Sequence, residues 1–342
     1  MTDPLLTIGM PVYDDARGAQ FTLQALRMYH DLDGVELLVI DNHPDSLQGK
    51  RLKAFCGQAS VRYERFTEST GTAQPRNELF RQARGTWVLC MDAHVFLDVP
   101  GLRRLIADLR QLECGEPVGF ERHDLLSGPI VFDSLQCGAS AYVDTWGAGS
   151  RGRWNYQLPD ADAAPFPIEA MGLGLFVARR EDWLGFLPSF QGWGGEEWYI
   201  FAAYRQAGRR TLCLPWLRWW HDFRQPFYPN PCPSRRRDTI ANYIEAAQAL
   251  GESLDDARRH FVKELKVIGT AGWNRLVRAP HSGRSRVRGD RTINAPTTAA
   301  KPTAAAPAAL ASAASRLRSA TADGHSANAI DRWKSTPSGT PS

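Results

Sequence analysis

Asp92-Ala93-His94 closes an apolar run, Trp87 to Met91, and sets a carboxylate and an imidazole two residues apart. At the end of a strand that spacing points both side chains the same way, so they can share one divalent cation. The triplet also reads as a strand terminus with an Asp turn and a surface histidine. A second group, Gly192-Trp193-Gly194-Gly195-Glu196-Glu197, places two carboxylates at the start of a helix. The helix dipole there is expected to lower their pKa and keep a general base ionised. The glycine run is equally a tight turn ahead of that helix. His221, after Trp219-Trp220, is either a ligand or a member of a packed aromatic cluster.

These residues need a scaffold, and the first half of the chain supplies one by alternating short apolar runs with amphipathic stretches. Leu5 to Val12, Val35 to Ile40, Val61 to Phe66 and Thr86 to Met91 read as strands, and Ala19 to Tyr29 and Pro75 to Arg84 as helices. This rhythm predicts an α/β fold with a mainly parallel sheet flanked by helices. In such sheets ligands bind beyond the carboxyl ends of the strands, where Asp41 and Asp92 fall. From Glu113 to Phe166 the pattern weakens to loops and short strands able to shape an acceptor pocket. Then follow a strand, Ala170 to Ala178, helices at Glu181 to Leu187 and Glu196 to Ala207, and a strand at Thr211 to Leu214. Arg235 to Leu250 and Leu254 to Leu265 read as helices separated by Gly251.

The 342 residues, 43% hydrophobic with 11 Trp, suffice for one catalytic domain and an appendage. The expected division is a catalytic domain over 1–230, a helical extension over 231–279 and a disordered Ala/Pro/Ser/Arg-rich tail over 280–342. A net charge of +4 says little about the main domain's partner. The tail's Arg284, Arg286 and Arg288 would suit a polyanion such as DNA or an anionic membrane surface. The 6 cysteines lack zinc-ligand spacing and read as buried or free thiols in a reducing compartment. With neither a signal-peptide pattern nor an apolar run long enough to span a bilayer, the expected location is the cytoplasm.

Taken together, the motifs resemble the GT-A glycosyltransferases of family 2. In the metal and acceptor segments they are most similar to the polypeptide GalNAc-transferases and β-1,4-galactosyltransferases. Pro11-Val12-Tyr13-Asp14 resembles the first-strand nucleoside cradle, and Asp41 the acidic residue that contacts base or ribose. Gly71-Thr72-Ala73-Gln74-Pro75-Arg76-Asn77 resembles the segment that opens a helix near the donor, and Asp92-Ala93-His94 the D-x-H form of the metal motif. Gly192 to Glu197 is similar to the W-G-G-E acceptor segment. Met171-Gly172-Leu173-Gly174 resembles the small-residue strand beneath the donor sugar.

The resemblance implies a GT-A, Rossmann-like nucleotide-diphospho-sugar transferase fold and a metal set of Asp92, His94 and His221 holding Mn²⁺ or Mg²⁺. It also implies donor contacts from Pro11, Tyr13, Asp41, Arg76, Asp92 and Gly172, and acceptor contacts from Trp193, Gly194, Gly195 and Glu196. A divalent ion would offset charge developing on the leaving diphosphate. The implied reaction moves a sugar from a nucleotide sugar, a UDP-sugar first, onto a hydroxyl. The acceptor is a glycan, lipid-linked glycan, protein or modified nucleic acid. Glu197 stands where inverting relatives carry an acidic base and retaining relatives Asn, which favours inversion, with Glu197 as base and Glu196 holding the acceptor. The swapped roles, a retaining enzyme of the GalNAc-transferase type and a non-catalytic nucleotide- or sugar-binding module are the alternatives. Nucleotidyl transfer fits poorly, because Met10 to Asp15 is not a Gly-rich basic loop.

Overall fold

A computed structural model describes residues 3–147, 150–223 and 235–279. The chain divides into a compact unit, Met1–Gly283, and a second, Arg284–Ser342. The expected tail and its arginines lie outside the described residues, as does Cys232.

Strands β1 (Leu6–Val12), β2 (Val35–Asp41), β3 (Arg62–Arg65) and β4 (Trp87–Met91) pair in parallel in the order 3-2-1-4. Helices α1 (Ala16–Tyr29), α2 (Leu47–Gln58) and α3 (Ala73–Gln82) connect them. The five residues of β4 are all buried, as a strand covered on both faces requires. Past β4 come β5 (Val95–Leu97), α4 (Val99–Glu113), and the short strands β6 (Leu125–Ser127), β7 (Ile130–Val131), β8 (Gly138–Ala139), β9 (Tyr142–Trp146), β10 (Arg151–Trp154) and β11 (Phe166–Pro167). The chain continues through β12 (Leu175–Arg179), α5 (Glu196–Gln206), β13 (Thr211–Cys213) and β14 (Trp219–His221) to α6 (Arg236–Leu250), α7 (Asp255–Arg258) and α8 (Thr270–Arg278).

The main sheet has eight strands in the order β11-β13-β6-β12-β4-β1-β2-β3, with β12 antiparallel to β4. A four-stranded sheet, β5-β14-β7-β8, stands beside it. This is the mixed, mainly parallel α/β architecture expected.

Local differences have identifiable causes. Helices α2, α4 and α8 have no counterpart in the sequence-based expectation. In α4, Leu102, Leu105, Ile106 and Leu109 are buried at helical spacing, so its pattern was legible. In α2 only Gly49, Leu52 and Cys56 are buried, and its start comes from Ser46, whose hydroxyl caps Gly49 N–H at 2.9 Å. Glu181 to Leu187 is not a helix: one 3₁₀ turn, Arg180–Asp182, precedes an irregular stretch. There Trp183 stacks on Phe80 with ring centroids 4.1 Å apart, a packing gain that overrides weak local propensity. The strand expected from Ala170 begins only at Leu175, because a Cβ at Gly174 would meet the Trp219 ring at 2.8 Å and the preceding residues pass under aromatic rings instead of joining a ladder. The helix expected over Leu254 to Leu265 is α7 followed by a π turn, Arg259–Glu264. The 5 described cysteines are free thiols.

Candidate functional site

Asp92 follows β4 directly, and its N–H donates to Gly174 C=O at 3.0 Å. The route that brings His221 to it runs through the smaller sheet. β14 pairs antiparallel with β5 so that His221 sits opposite Val95, and Asp222 N–H donates to His94 C=O at 3.0 Å. The His94 and His221 rings meet edge to face with centroids 4.5 Å apart, and His221 Nε2 lies 3.7 Å from Asp92 Oδ2. Residues more than a hundred positions apart in sequence thus share one point beyond the carboxyl end of β4.

Each member of this group has a partner that fixes it. Arg76, buried on α3, donates to Asp92 Oδ1 at 2.8 Å and to Thr72 C=O at 2.9 Å. Burial works against the Asp92 charge, but Arg76, His221 and His94 outweigh it and hold the carboxyl at about 2. His94 Nδ1 lies 2.9 Å from Asp15 Oδ2. Burial depresses the His94 imidazole pKa, yet Asp15 and Asp92 turn the net shift upward. His221 goes the other way, since burial dominates and lowers it. Asp15 carries no expectation from sequence, although it has a visible reason to be where it is: its Oδ1 accepts Gly18 N–H at 2.9 Å and caps α1. A carboxylate that orients a histidine ring in this way is the usual outer partner of a metal-bound imidazole.

The donor residues expected from sequence do not all face the same space. Tyr13 stacks in parallel on His43 at 4.8 Å, next to a partly exposed Pro11. Asp41 is fully buried, accepting Tyr63 O–H at 2.7 Å and His43 N–H at 2.9 Å; burial pushes its carboxyl up while those two bonds pull it back. Those two bonds tie it to the end of its own strand and to β3. Arg76, 5% exposed, is likewise turned to Asp92. Gly172 lies beneath an aromatic cover, since a Cβ there would stand 3.0 Å from both Tyr142 Oη and the Trp154 ring. Tyr142 belongs to the region from Glu113 to Phe166 that carried no residue-level expectation. Burial raises its phenol well above the ordinary range, and Glu197, Tyr243 and Asp92 add to the rise, which places it in the field of both carboxylates.

The Gly192-to-Glu197 segment is a mould of glycines. Gly192, Gly194 and Gly195 have φ of 62°, 108° and 96°, in the left-handed region that side-chain-bearing residues avoid. Gly71, at φ 134°, forms a parallel bridge with Gly192, where an added Cβ would meet Gly192 N at 2.6 Å. The Gly192-to-Glu197 loop is therefore stitched to the start of α3. Glu196 reinforces the seam: its carboxylate accepts from Thr72 O–H and from Gly194 N–H at 2.6 Å, and only 1% of the residue is exposed. Burial raises its pKa despite these bonds and Arg76. The expected lowering by the helix dipole fails here, because desolvation of a buried carboxylate exceeds a terminal dipole effect that is strongest at exposed sites. Glu197 is partly exposed on the same first turn.

Glu196→Gln is expected to keep the fold, because an amide can donate to Thr72 Oγ and accept from Gly194 N–H. A carboxylate with a raised folded pKa lowers stability at neutral pH, and that penalty disappears as pH falls through the folded pKa. Denaturant titrations should show the variant matching or exceeding wild type at pH 7, with its relative advantage shrinking on acidification. A variant much less stable at pH 7 would overturn this account.

Asp92, His94 and His221 fit a divalent cation by donor chemistry, and His221 Nδ1 is a buried nitrogen without a hydrogen-bond partner among the described residues. No group of three His, Cys, Asp or Glu among the described residues forms a ready metal cage. Among those residues, no helix is long and apolar enough to cross a membrane.

Residues 7–120 match the model of glycosyl transferase family 2. No curated protein matches the chain. Among solved structures, the chain superposes on GalNAc-T7 with UDP, GalNAc and Mn²⁺ with a TM-score of 0.57 at 17% identity, over 76% of this chain and 50% of that one. It thus spans half the length of that protein's structure. S. aureus TarS with UDP-GlcNAc (11% identity, 80% of this chain, 70% of that one) and the Pyrobaculum calidifontis mannosyltransferase PcManGT with GDP-Man and Mn²⁺ (16%, 74%, 66%) superpose more loosely, each at a TM-score of 0.46. The chain has the GT-A fold of the GalNAc-T7 structure, and its residues 7–120 resemble glycosyl transferase family 2.

Proposed function

We propose that the protein is a metal-dependent glycosyltransferase that moves a sugar from a nucleoside-diphosphate donor, a UDP-sugar in the first instance, to an acceptor hydroxyl with inversion at the anomeric carbon. The observation that carries this reading is the meeting of Asp92, His94 and His221 beyond β4. The presence of UDP and Mn²⁺ in the GalNAc-T7 structure supports the choice of nucleotide and ion.

In this reading Asp92, His94 and His221 hold the cation, with Asp15 orienting His94 and Arg76 keeping Asp92 ionised. Bound there, Mn²⁺ or Mg²⁺ supplies Lewis-acid stabilisation of the leaving diphosphate. The Tyr13 and His43 rings offer a surface for the nucleobase, and Gly172 leaves room for the sugar beneath Tyr142 and Trp154. Glu197 takes the acceptor's proton as its oxygen attacks. Trp193, Gly194 and Gly195 shape the acceptor side, whereas Glu196, closed within the protein, holds that loop to Thr72. The acceptor class, whether glycan, lipid-linked glycan, protein or modified nucleic acid, is set by contacts that the site's common chemistry does not specify.

A panel of UDP- and GDP-sugars incubated with the full-length protein and Mn²⁺ tests the reading. Release of UDP or GDP is expected for at least one donor, to be abolished by excess chelator and restored by added Mn²⁺. Turnover undiminished in chelator would remove the cation from the mechanism, and no turnover of any donor would remove the activity.

A further inference from the structure

The loop that ends in Glu196 and Glu197 is gripped from its far side by α6. Thr239 O–H donates to Trp193 C=O at 2.7 Å. The Asn242 carboxamide accepts Gln191 N–H at 3.1 Å and donates to Gln191 C=O at 2.9 Å and Gly194 C=O at 3.0 Å. Both side chains belong to buried residues, and their spacing of three sets them on one face of the helix. The glycines complement that face: a Cβ on Gly194 would stand 2.7 Å from Thr239 Cγ2, and one on Gly195 3.4 Å from Asn242 Cβ. A buried asparagine in a helix interior is costly unless its polar atoms are matched, and here its oxygen and nitrogen both bond to the backbone of one loop.

These bonds are not what holds α6 in place. Ile240, Tyr243 and Ile244 anchor the helix in a separate apolar cluster with Ala257, Phe261 and Trp273. The packing of α6 and its polar grip on the loop are therefore separable by substitution.

We infer that Thr239 and Asn242 are positioning residues that fix the loop launching α5, and through it the Glu197 carboxylate relative to Asp92. The inference rests on Glu197 acting as base in the reaction proposed above. It makes the C-terminal helices part of the transfer site. A catalytic group displaced by about 1 Å can lose a hundredfold in rate without touching the substrate differently in the ground state.

Three variants of the full chain test it. Thr239→Val keeps the shape and deletes the donor. Asn242→Asp keeps the acceptor but turns an oxygen toward two carbonyls. Thr239→Ser keeps the hydroxyl. Amide hydrogen exchange in the metal-free protein is expected to quicken roughly fivefold or more across residues 191–196 in Thr239→Val and Asn242→Asp, with the β1 and β4 amides unchanged. With the best-used donor of the UDP- and GDP-sugar panel, kcat should fall roughly 10- to 100-fold while the affinity for UDP and Mn²⁺ stays within about twofold. Thr239→Ser should restore both readouts. Unchanged exchange at 191–196, acceleration spread over the whole unit, or a loosened loop with normal kcat would each overturn the inference. If Asn242→Asp does not fold, Thr239→Val decides alone. If wild type turns over no donor, the proposed activity fails and the catalytic role of this positioning fails with it, while faster exchange at 191–196 would still uphold the grip of Thr239 and Asn242 on the loop and unchanged exchange would overturn that too.

Discussion

Replacing Glu197 by glutamine is expected to lower sugar transfer by roughly 10²- to 10⁴-fold, the usual worth of a general base, with UDP affinity nearly unchanged. Glutamine preserves size and most hydrogen bonding but cannot take the acceptor's proton. The neighbouring Glu196 cannot substitute, because its carboxylate is enclosed between Thr72 and Gly194 and only 1% of the residue is exposed. The pair of adjacent carboxylates is thus divided by burial: Glu197 is partly exposed and Glu196 holds the loop. Steady-state kinetics of both glutamine variants would read the division directly, with Glu197→Gln losing kcat and Glu196→Gln retaining most of it. NMR of the product supplies the stereochemical check, since inversion of an α-linked donor gives a β linkage. An α-linked product, or near-normal turnover by Glu197→Gln, would move the chain to the retaining reading.

Asp92→Asn is expected to eliminate turnover and, in addition, to destabilise the fold. The two effects have different origins. Loss of the carboxylate removes the only acidic member of the proposed metal set, so binding of Mn²⁺ should fall below detection by titration calorimetry. The same change leaves Arg76, whose side chain is 7% exposed, without the partner at 2.8 Å that compensates its charge. Breaking a buried pair on one side costs about 3–5 kcal/mol, whereas removing both charged partners is often neutral. Asp92→Asn combined with Arg76→Met should therefore regain much of the lost stability in denaturant titrations and none of the activity. A stable, inactive double variant supports both roles of Asp92. An Asp92→Asn protein with normal Mn²⁺ affinity would dismiss it as a ligand, and one with unchanged stability would dismiss the Arg76 pairing as a support.

The sequence by itself determined the parallel core and the order of the motifs. Apolar runs such as Leu6 to Val12 and Trp87 to Met91 are buried on both faces, so composition alone marks them as strands, and Asp92 at the end of one is placed by chain direction. Gly192-Trp193-Gly194-Gly195 was equally legible, because three left-handed backbone positions admit little but glycine. The extent of Ala170 to Gly174, the Glu181 segment and α2 were not, since their states are decided by which rings and strands lie above them. Only the tertiary structure decided what each polar side chain faces. Asp41, Arg76 and Glu196 have the right types at the right places, yet long-range packing buries them and commits their hydrogen bonds to Tyr63, Asp92 and Thr72. Asp15, Tyr142, Thr239 and Asn242 carry no local signal for these roles, which come from contacts with residues 30 to 79 positions away. A residue type announces which chemistry it can perform; desolvation and partners, set by strands such as β14 returning beside β5, decide whether it performs it or supports the group that does.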